Sequence, residues 1–245
     1  MKYTYKAATI FGIPLRIHLS FVLLAAYIAG IAWYQDISMA AIALHTLFVL
    51  AIFGCVLLHE LGHAAAAAYN GIKTTEIVLL PVGGVAVFGS GWVRPMQEFS
   101  IAFAGPLTNL IIAGLLFVGI EIFTPSQIQY IGIEDQLFNI GHTFFERLMW
   151  LNIVIAGFNL IPAYPLDGGL MLRALLTHFL GGERAVFIQF WFSLMVASLF
   201  LVYSYWQRAP EYIFFAWLIY FSSRNEWAKK NPAKRCGREN KKQTL

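Results

Sequence analysis

Charge is what this chain has least of. Asp, Glu, Lys and Arg make up 12% of its 245 residues, about half the share found in a soluble globular domain. With 59% hydrophobic residues and a mean hydropathy of +0.65, that scarcity excludes a soluble enzyme and indicates a polytopic membrane protein. Cysteine is nearly absent too. Cys55 lies in an apolar run and Cys236 in a basic tail, which excludes a disulfide-stapled scaffold. The opening MKYTYKAATIFGIPLRIH lacks the compact apolar core and small-residue cleavage site of a removable signal peptide. There is no internal repeat, and no low-complexity tract beyond Ala64–Ala68.

What is present is a series of apolar runs long enough to cross a bilayer, which takes roughly 20 helical residues. The fold class expected is an all-α polytopic membrane protein of about six transmembrane helices with a small membrane-associated β-hairpin. Residues 1–16 read as an amphipathic or extended lead-in at the membrane surface. Spans follow at 17–34, 40–68, 98–122, 149–180, 185–207 and 211–223. Between the second and third, TTEIVLL and GVAVFGS read as two short strands joined near Pro81–Gly84. Such a hairpin is tolerated at membrane depth only where it packs on protein or lines a cavity. The fourth span is interrupted by Pro162, Pro165, Gly168 and Gly169, which break the helical ladder. Residues 1–223 form one membrane domain with its core at 40–180, and 224–245 a basic tail.

Six crossings put both termini on one side. With the termini in the cytoplasm, the outer loops hold only Arg147 and Arg208 as basic residues, and 15 of the 17 Lys and Arg fall inside. The positive-inside rule supports that orientation, in the inner membrane of a cell. The basic tail is explained by the same rule and by attraction to anionic lipid, so no nucleic-acid partner is expected.

One apolar run carries chemistry. AIFGCVLLHELGHAAAAA at 51–68 places His59 and His63 four residues apart, on one face of a helix. Two imidazoles so placed can share one tetrahedral Zn²⁺, leaving Glu60 as a base for water. Polar groups at membrane depth are costly and signal function. A catalytic zinc takes a third protein ligand, and Asp167, at the break in the fourth span, is the best candidate. Its alternative role is to cap a helix starting at Gly168. His178 lies about 16 Å further along that helix, too far to share the ion. Cys55, one turn before His59, reads as packing. His45 reads as an ordinary packed or interfacial histidine.

HELGH at 59–63, AGPLTN at 104–109 and NLIPAYPLDGG at 159–169 together resemble the site-2 protease family of intramembrane zinc metalloproteases. The resemblance covers the second span through the fourth. It implies one zinc ion held by His59, His63 and Asp167, with Glu60 as acid and base. It implies that Asn109 positions or stabilises the substrate carbonyl, and that Gly83 and Gly84 belong to a strand region that receives substrate. The expected partner is a transmembrane or membrane-associated protein substrate within the lipid bilayer, cleaved in regulated intramembrane proteolysis. The PDZ and CBS domains of some members have no room here. Two other readings stand beside it. A membrane HExxH protease with a distant glutamate ligand leaves LDG unexplained, and a zinc transporter or sensor leaves Glu60 without a task.

Overall fold

The computed structural model describes residues 3–23, 26, 30, 39–81, 83–89, 93–123 and 144–230. Its elements are β1 (Thr4–Ile10), β2 (Ile13–His18), α1 (Met39–Tyr69), β3 (Thr74–Leu80), β4 (Gly83–Phe88), α2 (Pro95–Phe123), α3 (Phe144–Asn159), α4 (Asp167–Leu180), α5 (Gly182–Gln207) and α6 (Glu211–Lys230). Helix dominates, with one small sheet, as the fold class expected. Among the described residues three helices are long and apolar enough to cross a membrane, at Ile42–Tyr69, Pro95–Ile122 and Gly182–Gln207. These match the second, third and fifth expected spans. Most of the first expected span, the 124–143 connection and the tail from 231 onward lie outside the described residues. Contacts group the chain into two units, Met1–Gly91 with Ala104–Ala156, and Trp92–Phe103 with Gly157–Leu245.

The first unit holds the sheet, in the order β1-β2-β3-β4. β1 and β2 form an antiparallel hairpin, and β3 pairs antiparallel with β4. β2 and β3 run parallel, pairing Leu15 with Ile77 and Ile17 with Leu79. Parallel neighbours need a crossover instead of a tight turn, and the chain between them carries α1. Leu15, Ile77 and Leu79 bury against Ala64, with Val56, Leu57 and Leu61 packed around them. The sheet therefore rests on α1, and the expected hairpin is one half of it. The other half, β1 and β2, gives the extended form of the N-terminal lead-in as a paired hairpin. β2 continues to His18, so no helical span begins at residue 17. β2 alternates, with Ile13, Leu15 and Ile17 between Pro14, Arg16 and His18, whereas β1, TYKAATI, has almost no apolar alternation to betray a strand.

In the same unit α1 and α2 cross closely. A methyl group at Gly62 would lie 2.3 Å from Thr108 Oγ1 and 2.8 Å from the Ala104 carbonyl. Small residues at such crossings let helices approach where apolar burial gives no drive.

The second unit is built on the interrupted segment. α3 ends at Asn159, residues 160–166 are turns and bends, and α4 starts at Asp167. The break frees backbone groups that lipid cannot satisfy, and buried side chains from α5 and α6 take them up. The Tyr164 N–H donates to Ser193 Oγ at 3.0 Å, and Ser223 Oγ donates to the Tyr164 carbonyl at 3.0 Å. Gln189 Nε2 donates to the Gly169 carbonyl at 2.8 Å. Gly168 and Gly169 allow the break to fold back over the first turn of α4, since a methyl group at either would lie within 2.5 Å of residues 160–164. The Tyr164–Pro165 peptide is cis. Ala163, Val196, Ala197, Ala216 and Ile219 form the apolar core of this unit.

Arg173 of α4 joins Glu98 at the start of α2 to Glu226 of α6, the latter at 2.9 Å, with its side chain only 13% exposed. Arg173→Met leaves two carboxylates without their shared cation. We expect a loss of about 3 kcal/mol, the low end for a broken buried pair, read as a lowered unfolding temperature in detergent. Adding Glu98→Gln and Glu226→Gln should recover most of it.

Candidate metal centre

α1 brings the three polar residues of HELGH to one buried place. His59, Glu60 and His63 are 5%, 6% and 7% exposed on a helix whose only other histidine is His45, well over three turns earlier. The two imidazoles meet edge to face, with Nε2 of one 3.1 Å from Nε2 of the other. Two zinc–nitrogen bonds of about 2.05 Å at a tetrahedral angle separate their nitrogens by about 3.3 Å, so the pair has the spacing of ligands to one ion. Gly105 of α2 keeps the space beside them clear. A methyl group there would lie 2.3 Å from His63 Nε2 and 2.6 Å from His59 Nε2. A buried cradle that one methyl group would fill, faced by two imidazole nitrogens, fits zinc.

β4 places its glycines over the neighbouring carboxylate. Gly84 pairs with Leu79, whose side chain is on the α1 face of the sheet. A methyl group at Gly84 would lie 2.4 Å from Glu60 Cγ and 2.7 Å from Oε1. Gly83 differs from its neighbour. Its φ of 149° is a conformation that side chains rarely adopt, and nothing stands where its Cβ would be. Only Gly84 is held to glycine by the candidate base.

Behind the histidines lies a chain of amides. Asn109 and Asn152 are both 0% exposed. Asn109 Oδ1 is 2.5 Å from His59 Nδ1, and its Nδ2 donates to Asn152 Oδ1 at 2.7 Å. Asn152 Nδ2 in turn donates to the Leu148 carbonyl at 2.8 Å and to Cys55 Sγ at 3.3 Å. The Asn109 amide N–H group, the donor a substrate carbonyl would need, here meets Asn152, and its oxygen faces a histidine. Cys55 packs as expected and also accepts a weak hydrogen bond. Asn152 and Gly105 are site residues that sequence reasoning passed over. The signal for Asn152 was a lone polar residue inside MWLNIVIAGF, the same type of signal that marked Asn109.

In the second unit, Asp167 is the first residue of α4. The residue before it, Leu166, occupies the cap position, and no side chain caps the helix. A carboxylate in the first turn is favoured by the helix dipole, and the backbone on both sides is pinned by Ser193, Ser223 and Gln189 as described. His178 sits exposed in the last turn of α4.

Gly105→Ala should lose most of its bound zinc, measured by metal analysis of the purified protein, because the added methyl group collides with both ligand nitrogens. Gly84→Ala, which strikes Glu60 instead, should keep its zinc.

A profile of peptidase family M50 matches residues 47–202. Among curated proteins, the zinc metalloprotease MJ0392 of Methanocaldococcus jannaschii is 34% identical over 226 residues, covering 92% of this chain and 61% of that protein. The stage IV sporulation protein FB of Bacillus subtilis is 32% identical over 142 residues, covering 58% of this chain and 44% of that one. The chain thus spans less than two thirds of the length of these relatives. The solved structure of the site-2 protease from Methanocaldococcus jannaschii is similar with a TM-score of 0.64 and 31% identity, over 92% of this chain and 95% of the other. Because the family match runs from within α1 to near the end of α5 and takes in both HELGH and LDG, the chain belongs to peptidase family M50, the zinc-dependent site-2 proteases.

Proposed function

We propose that the protein is an intramembrane zinc metalloprotease that hydrolyses peptide bonds in or near the transmembrane segments of membrane-protein substrates. The observation that carries this reading is the buried His59–His63 pair, spaced for one ion, with Glu60 beside it on a helix apolar enough to span a bilayer. His59, His63 and Asp167 hold the zinc. Asp167 is supported by the need for a third anionic or imidazole ligand and by the backbone held on both sides of it by Ser193, Ser223 and Gln189. Zinc, when bound, supplies Lewis acidity to water and to the scissile carbonyl.

The remaining steps belong to the chain. Glu60 accepts the proton of water as its oxygen adds to the peptide carbonyl carbon. The same carboxyl then donates that proton to the leaving amine nitrogen as the C–N bond breaks. Burial keeps competing water from Glu60, and Gly84 leaves room for the carboxylate to move between the two tasks.

A substrate helix hides its carbonyls in its own hydrogen bonds, so it must unwind before it is cut. β4 supports a place for the unwound segment. Among the described strands it pairs with β3 alone, and its open edge can add an extended peptide beside Gly83 and Gly84 by β-augmentation. The concentration of Lys and Arg on one side supports cytoplasmic termini, six crossings and an inner cell membrane. It also puts the metal centre toward the cytoplasm, where a cut would release a regulatory factor.

The test uses purified protein, its zinc content and a membrane substrate. Glu60→Gln should keep its zinc and lose cleavage by roughly 10²–10⁴-fold, the usual contribution of a general acid–base group. Asp167→Asn should lose zinc as well. Unchanged cleavage by Glu60→Gln would overturn the reading, and zinc transport without proteolysis would replace it with a transporter.

A further inference from the structure

We infer that Asn152 is a positioning residue that, through Asn109, fixes which nitrogen of His59 carries the proton. The inference rests on His59 being a metal ligand, as proposed above, and concerns residues that touch neither metal nor substrate.

The argument starts at the far end of the chain of amides. The carbonyl of Leu148 belongs to the backbone of α3 and can only accept a hydrogen bond. It therefore holds the NH₂ group of Asn152, at 2.8 Å, and Cys55 Sγ takes a second, weaker contact from the same group at 3.3 Å. With its NH₂ so placed, Asn152 must turn its oxygen to Asn109. An oxygen at 2.7 Å demands a donor, so Asn109 turns its NH₂ toward Asn152 and its own oxygen toward His59. That oxygen, 2.5 Å from His59 Nδ1, again demands a donor. His59 must carry its hydrogen on Nδ1, which leaves a lone pair on Nε2, the nitrogen that faces Nε2 of His63.

No member of this chain can reverse without setting two acceptors against each other in a site sealed from water, and each such clash leaves a buried polar group unmade at a cost of about 1–3 kcal/mol. Both asparagines are 0% exposed, so water cannot substitute for either. A ligand imidazole normally has its second nitrogen oriented by a carboxylate or carbonyl, and loss of that partner costs 10–100-fold in metal affinity. Here the partner is an amide, which has a donor end and an acceptor end. An amide orients a histidine only if something else orients the amide, and Asn152 does that.

The relay makes a suppressor prediction that a merely structural role does not. Asn152→Leu, in the full chain in detergent, should bind Zn²⁺ about 10–100-fold more weakly in competition with a chelator. Asn109→Asp presents an acceptor oxygen whichever way it turns, so it should make Asn152 dispensable. The double variant should regain affinity near wild type. Wild-type affinity in Asn152→Leu, or a loss that Asn109→Asp does not restore, would overturn the inference. A second measurement needs no variant. Nitrogen-15 spectra of histidine-labelled, metal-free wild type should show the His59 proton on Nδ1, and a proton held on Nε2 would equally overturn it. Neither readout involves cleavage. A chain that binds zinc by this relay yet cuts nothing would defeat the protease reading and leave the inference standing.

Discussion

A hydrogen-bonding group inside an apolar chain in a bilayer has no water to fall back on, and that constraint shapes both units. An unmade buried hydrogen bond costs about 1–3 kcal/mol, so each polar atom must be met by another part of the protein. In the first unit the demand runs from His59 through two asparagines to a backbone carbonyl. In the second it runs the other way, from backbone broken at residues 160–166 to serine and glutamine side chains on α5 and α6. The chain breaks its own helix next to Asp167 and then repairs the hydrogen bonds with neighbouring residues.

Glycine supplies the complementary device, which is space. Gly62 admits α2 to α1, Gly105 clears the room beside the ligand nitrogens, Gly84 clears it beside Glu60, and Gly168 and Gly169 let the break fold back. At each of these positions a single carbon would meet an atom within 2.5 Å. Polar side chains decide the chemistry, while missing side chains decide where it fits.

Much of this was legible in the sequence, for identifiable reasons. HELGH declared itself because charge and imidazole are expensive in an apolar run, and the break declared itself through its prolines and glycines. The β3–β4 hairpin was visible through β-branched residues flanking Pro81 and Gly84. β1 was not, because TYKAATI has almost no apolar alternation, and the alternation of β2 is confined to the short run IPLRIH. Asn109 was found without its partner Asn152, since spacing cannot say which side chains meet across helices. Asn152 and Gly105 were missed because their roles exist only after α1, α2 and α3 have been brought together.

The parallel pairing of β2 with β3 has a consequence for how the molecule is made. Residues Leu15 and Ile77 are neighbours in the sheet but lie on either side of α1 in the chain. Contacts so distant in sequence form late, because the intervening loop must close first. The strand hairpin that carries Gly84 can form early from local residues, while the N-terminal hairpin has to wait until α1 has been threaded. During synthesis, the β2-facing edge of β3 is thus an open template. That edge is closed when β2, a segment from before α1, pairs with it.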